Sequence, residues 1–199
     1  MERTDARQRI IQTARNLFFT DGFRTISTDH MAKAAAVSKS TFYKHFAGMD
    51  ALLEAVLQAE VATFDLNVDI EIQTALDFEK ALVGYGSNLL TYLNQQQMIQ
   101  FAQVMFEEAR LQPDTAKIFF ETAYAATIKE LAAIIAVGMS KKYLETSLSA
   151  AELAEQLLGM WEGFRFISAQ LGLTATPFAD PERWAQKGVM TLLSAYRPR

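Results

Sequence analysis

The chain has 199 residues, half of them hydrophobic, with no cysteine and two histidines. That composition suits one generous core or two small domains and not a disordered chain; it excludes disulfides, thiolate chemistry and Cys-ligated metal, and two histidines make no zinc cluster. The net charge of −4 is uneven, with +3 in residues 1–50 and −7 in residues 51–199, the distribution of a protein that meets a polyanion basic end first.

The opening MERTDARQR is charged and has no apolar run behind it, so no signal peptide is expected there. Glu2 to Thr20 reads as a first helix with Ile10, Ala14, Leu17 and Phe18 as its buried stripe, and Gly22 is placed to end it. Of its arginines, Arg3 and Arg7 are best placed to touch a nucleic-acid backbone. Ser27 is a good cap for a second helix, Thr28 to Ala35. A turn follows at Ala36, Val37 and Ser38, then a third helix, Lys39 to His45. Met31, Ala34 and Ala35 in one helix and Phe42 and Phe46 in the other recur at spacings of three or four, so each has an apolar face. The opposite face of the third helix shows Lys39, Ser40, Tyr43 and Lys44, hydrogen-bond donors on a short rod suited to a DNA major groove. Ser40 and Thr41 are small enough to let the rod sit deep. For His45, a phosphate contact and a structural hydrogen bond are equally open.

A fourth helix, Asp50 to about Asn67, sets Leu52, Leu53, Val56, Leu57, Val61 and Phe64 on one side and is expected to be the only covalent link from head to body. Residues 67–73 are a weak connection. Thr74 to Leu93 is a fifth helix, Asn94 to Gln97 a break, and a sixth helix reaches Leu111. Pro113 opens a seventh that ends near Gly138. Ser149 and Glu152 form a capping box for an eighth, which Gly172 stops near Leu171. Pro181 opens a ninth, ending near Tyr196. No period-two pattern persists, so the fold is all-α with about nine helices. Ala81 to Phe106 lacks charge over 26 residues, but its seven Asn and Gln are too polar for hydrocarbon. There is no nucleophile–base pair, metal cluster or Gly-rich phosphate loop, so neither an enzyme nor a cofactor or metal site is expected.

The later helices are rich in Met and aromatic residues. Phe101, Met105, Tyr124, Trp161 and Phe164 are candidates to line an apolar ligand cavity, with Arg165 as the residue to orient a ligand. Gly159 and Gly163 share a face of the eighth helix and allow another helix to approach closely, either from a second subunit or within the chain. Ile167, Trp184 and Leu192 complete the expected dimer surface.

One stretch is specific. Ala32-Lys33-x3-Val37-Ser38-Lys39-Ser40-Thr41-Phe42-Tyr43-Lys44-His45-Phe46, with Ala14-x2-Leu17-Phe18-x3-Gly22-Phe23 before it and Leu52-Leu53 after it, closely resembles the DNA-binding domain of the TetR family of bacterial transcriptional regulators. The resemblance implies a three-helix helix-turn-helix domain at 1–48 and a helical ligand-binding and dimerisation domain at 49–199. It implies a phosphate contact from Tyr43, another from Thr28 at the second helix's N-terminus, and a DNA-contacting set of Thr28, Ser38, Lys39, Ser40, Thr41, Tyr43, Lys44 and His45. It further implies a cytoplasmic homodimer, joined through its last two helices, on a palindromic stretch of double-stranded DNA. A repressor released by a small apolar or aromatic effector is the expected form; an activator, or a sensor of this fold without DNA recognition, is the alternative. Three positions depart from the pattern: Ala36 where the family usually has Gly in the turn, Met49 where a phosphate-touching Lys is usual, and His30 where an acid is common.

Overall fold

The computed structural model describes residues 5–23, 25–62, 71–111 and 113–198. Arg3, Phe64, residues 67–70 and the side chain of Val61, all named above, lie outside the described residues. Among the described residues there are nine helical rods and no strand: α1 Ala6–Asp21, α2 Thr28–Ala34, α3 Lys39–His45, α4 Met49–Ala62, α5 Ala75–Leu93, α6 Gln96–Leu111, α7 Pro113–Ser140, α8 Ala150–Gln170 and α9 Pro181–Tyr196. The uncharged stretch from Ala81 to Phe106 is divided between α5 and α6 by a turn at Asn94 and Gln95. By length and composition α7 is the one described helix that could cross a bilayer.

The caps follow from the sequence. Ser27, Ser38 and Asp180 each accept a backbone N–H three residues on, and Thr74–Asp77 and Ser149–Glu152 are reciprocal capping boxes, so each helix start has an orphan donor satisfied. In both boxes the backbone and hydroxyl donors hold the carboxyl of the acid below its usual range.

The chain packs as two compact units, Met1–Thr63 with Gln100–Tyr124, and Phe64–Ile99 with Ala125–Arg199. It therefore passes between them three times, after α4, within α6 and within α7.

In the first unit Ile10, Ala14 and Phe18 of α1 are fully buried with Met31, Phe42, Leu52, Leu53 and Val56. Ala34 is exposed, and Ala32 and Ala35 are buried with Met31 instead, because three residues of a two-turn helix fix its inward face and Ala34 falls beyond it. Phe19 stacks on Phe101 with ring centres 4.3 Å apart. The half-buried Arg15 pairs with both oxygens of the buried Glu60, joining α1 to α4. Between α2 and α3, Ala36 N–H bonds to the Lys33 carbonyl at 3.1 Å and Val37 N–H to the Ala32 carbonyl at 3.0 Å. That pair of bonds is a Schellman closure, which needs a left-handed residue at its centre. Ala36 takes that conformation, with φ 52°, and so carries the strain of a β-carbon there.

The second unit is organised on Trp161 of α8, which is 0% exposed. A β-carbon at Gly86 of α5 would lie 2.5 Å from its indole, and one at Gly188 of α9 would lie 2.6 Å from it. Trp161 Nε1–H donates to the Ala185 carbonyl at 3.0 Å, and the Trp161 carbonyl accepts Trp184 Nε1–H at 2.8 Å. A similar close fit sets Gly138 of α7 against the ring of Phe78. Asn94, where the sequence breaks, grips the backbone of Phe178 through both ends of its amide. Tyr85 donates to the Thr127 carbonyl at 3.2 Å, and burial pushes its hydroxyl pKa up.

Two predictions test these constraints. Gly86→Ala and Gly188→Ala are each expected to destabilise the protein by about 1–3 kcal/mol, since a rigid indole cannot yield to an added carbon; urea unfolding that matches wild type for both would show that the clasp does not bear on stability. Ala36→Gly is expected to stabilise by about 0.5–1 kcal/mol, the relief at positive φ less the added chain entropy; an unchanged or lower unfolding midpoint would contradict the strain.

Candidate nucleic-acid interface

The helix-turn-helix is built from the sequence outward. Phe42 is fully buried and Phe46 nearly so, which fixes the roll of α3 and leaves its other side to solvent. Lys39, Ser40, Tyr43 and Lys44 are exposed on it, Tyr43 at 50%, while Thr41 and His45 are half-buried. Tyr43 stands edge-on to Phe42 at 5.5 Å, so its ring is braced and its hydroxyl end is free to reach outward.

At the start of α3 the Ser38 hydroxyl accepts Thr41 N–H at 3.0 Å and lies 2.8 Å from Ser40 Oγ and 2.7 Å from Thr41 Oγ1. Thr28, half-buried, opens α2, with Ser27 as its cap. The structure thus places Thr28 on α2 and the other seven expected DNA-contacting residues in one continuous run from the cap of α3 to its last residue. Lys39 is not solvated alone: its ammonium lies 2.8 Å from Asp29 on α2. The hydrogen bond to Asp29, and then that carboxylate's charge, raise the Lys39 pKa. Asp29 was not among the expected site residues, because the pairing depends on the turn that folds α2 against α3 and has no signature in spacing. Met49 opens α4 and His30 is exposed on α2.

The expected effector residues fall in both units. Phe101 and Met105 are buried in the first unit and Tyr124 is half-buried there. Phe119 joins them, edge-on to Phe101 at 6.3 Å, to Phe106 at 6.0 Å and to Tyr124 at 5.7 Å. Beside this aromatic cluster α7 widens into a π-helical turn at Phe120–Ala125, a feature frequent at functional sites. Trp161, Phe164 and Arg165 belong to the second unit. Trp161 is a packed core post, Phe164 is 87% exposed, and Arg165 lies over the Trp184 ring.

Of the expected dimer residues, Gly159, Gly163 and Ile167 are exposed and Trp184 is half-buried. Nothing in the described chain lies within 4 Å of a β-carbon built on Gly159 or Gly163, so close packing within the subunit does not account for them. Leu192, at 1% exposure, fills the core of its own subunit instead of facing outward. Gly163 departs from helical geometry, with φ 43° and ψ −151°, a conformation glycine alone reaches cheaply. Beyond this break Phe164 and Ile167 are exposed on α8, with Leu171 at its C-cap and Leu173 just after it.

Comparison with known proteins agrees with this arrangement. Residues 10–56 match the model of bacterial regulatory proteins of the tetR family, and residues 80–198 match the C-terminal domain of AefR-like transcriptional repressors. The uncharacterized HTH-type transcriptional regulator YvkB of Bacillus subtilis is 27% identical over 165 residues, 83% of this chain and 84% of that protein. Among solved structures, the flavonoid-responsive regulator FrrA superposes with a TM-score of 0.79 and 28% identity, covering 98% of both chains. A TetR transcriptional regulator from Agrobacterium tumefaciens superposes with a TM-score of 0.82 and 21% identity, covering 98% of this chain and 97% of that one. The head matches one family model and more than half of the chain the other, so this protein belongs to the TetR family and is a DNA-binding transcriptional regulator, not an enzyme.

Proposed function

We propose that the protein is a cytoplasmic, homodimeric repressor that binds a palindromic operator and is released by a small apolar or aromatic effector. The observation that carries the DNA reading is α3 itself, a helix held by Phe42 and Phe46 on one side and presenting Lys39, Ser40, Tyr43 and Lys44 on the other. A rod of this length reads only a few base pairs, so a two-fold pair of heads is needed for a specific site. Residues 1–48 are the DNA-binding domain in this reading, and residues 49–199 the ligand-binding and dimerisation domain. Thr28 and Tyr43 engage phosphates, Lys39 and Lys44 reach phosphate or a base edge, Ser40 and Thr41 donate to base edges, Ser38 belongs to the same contact set, and His45 makes a phosphate contact or a structural hydrogen bond.

The α8 face supports the dimer. Gly159 and Gly163 leave room for a second helix, and the exposed Phe164, Ile167 and Leu171 form the kind of apolar surface that a partner covers. Trp184, half-buried on α9, belongs to the same proposed dimer surface. The aromatic cluster of Phe101, Met105, Phe119 and Tyr124, next to the π-helical turn, is the proposed effector region; FrrA, flavonoid-responsive by its description, supports an aromatic ligand. The effector acts by binding more tightly to a conformer whose heads are wrongly spaced for adjacent major grooves, since only differential affinity shifts a population.

In vitro selection from a random duplex pool tests the reading, with a palindromic motif as the expected product. On that selected operator Tyr43→Ala and Lys39→Ala are expected to bind at least about tenfold more weakly as intact dimers, with the salt slope reduced by about one for Lys39→Ala, which removes a cation, and unchanged for Tyr43→Ala, which removes none. Wild-type affinity in both variants would remove α3 from the interface. The double change Phe164→Glu with Ile167→Glu is expected to shift the protein to monomer in sedimentation velocity, because it buries like charges against each other across a two-fold axis. A dimer of wild-type strength would place the interface elsewhere.

A further inference from the structure

Three cations line one recess in the second unit, two of them over a single indole. The guanidinium carbon of Arg165 lies 4.4 Å from the centre of the Trp184 ring, and Lys187 Nζ lies 5.3 Å from it. Arg183 lines the same recess, with Phe178, Ala179 and Asp180, and its volume is about 220 Å³. Three like charges in so small a space repel one another unless an anion offsets them.

The chain offsets them only in part, with one carboxylate against three cations. Among the described residues neither Arg165, Arg183 nor Lys187 forms an ion pair. Asp180, the one acid lining the recess, uses its carboxylate to cap α9, accepting Arg183 N–H at 3.0 Å. Arg165 donates only to the Pro177 carbonyl, at 3.4 Å. Glu162, one turn before Arg165, makes no ion pair with it, and burial pushes its carboxyl up to about 7. This net positive cluster stands out in residues 51–199, which together carry −7.

We propose that the recess is an oxyanion site that holds the phosphate or carboxylate group of a small metabolite. Arg165 and Arg183 offer forked N–H donors matched to paired oxygens, and Lys187 adds a point charge. Trp184 braces Arg165 and Lys187 through cation–π contact and forms the apolar wall. The volume is below that of pockets for whole drug-sized ligands, so it takes an anionic headgroup and leaves the rest of the molecule outside. The site shares no residue with the aromatic cluster of the first unit and does not rest on the DNA-binding reading.

The chain contains two tryptophans, one in the buried core and one at the recess, so Trp184 serves as a built-in reporter. The full-length protein is titrated with inorganic phosphate, and separately with acetate, against chloride at constant ionic strength, following tryptophan emission and the thermal midpoint. A saturable emission change and a raised midpoint are expected with one of the two oxyanions and not with chloride, since a ligand of the folded state stabilises it. The Arg183→Gln, Lys187→Gln double variant replaces groups that hold no hydrogen bond or ion pair among the described residues, and is expected to keep its fold and weaken the response at least tenfold. If that variant does not fold, Arg183→Gln alone is measured by the same criteria. Preference for phosphate assigns a phosphorylated metabolite, and preference for acetate a carboxylate. A response equal to that of chloride, or one undiminished in the folded variant, overturns the site.

Discussion

The second unit depends on one side chain that has no freedom left. Trp161 lies between two glycines contributed by different helices, and the space it occupies is the space their missing side chains leave. Its indole N–H is bonded to Ala185 and its carbonyl to Trp184, so packing and polar satisfaction fix the same residue from both ends. Interiors this dense transmit displacement and do not absorb it, and α5, α8 and α9 are held in register at a single point. Two residues later the opposite condition holds. Gly163 leaves helical geometry, and the apolar side chains after it meet solvent. One helix thus carries a fully confined residue and an open apolar face.

The reading head works on a smaller scale but by the same logic. Phe42 and Phe46 set the roll of α3, and the Schellman closure at Ala36 sets where α3 begins. Neither requires a charged contact, so the outward residues are left to chemistry and not to stability. The glycine position of the turn is filled by alanine at φ 52°, which means the surrounding core over-determines the turn strongly enough to hold a residue that disfavours it.

Some helix starts were legible because caps are local: Ser27 and Ser149 each act on residues within one turn, and Pro181 fits at the beginning of α9 because its missing N–H has no partner there in any case, whereas the first helix, expected from Glu2, starts at Ala6 behind the Asp5 cap. The DNA-facing run from Ser38 to His45 was legible because two buried phenylalanines determine which way a two-turn helix faces. What could not be read is whatever depends on long-range neighbours. Trp161 and Phe164 look alike as aromatic residues on one helix, yet one is fully buried and the other 87% exposed, and only the placement of Gly86 and Gly188 separates them. Leu192 was expected on the outer face of an amphipathic helix, but α9 turns that side toward α5. The division into two units cuts α6 and α7 in mid-helix, where no composition shift marks it.

The pairing of Lys39 with Asp29 bears on how the head distinguishes one anion from another. An isolated surface lysine exchanges only water when it meets a phosphate. Lys39 already has a carboxylate at 2.8 Å, so an anion that engages it either displaces that carboxylate or shares the ammonium's three N–H donors with it, and the net free energy is less than the full strength of an isolated pairing. A lysine held in this way adds little to indiscriminate attraction. It responds to a competitor whose geometry is better than that of Asp29, and it does so at a cost set by a residue on the neighbouring helix. Asp29 therefore sets part of what an external anion gains at Lys39.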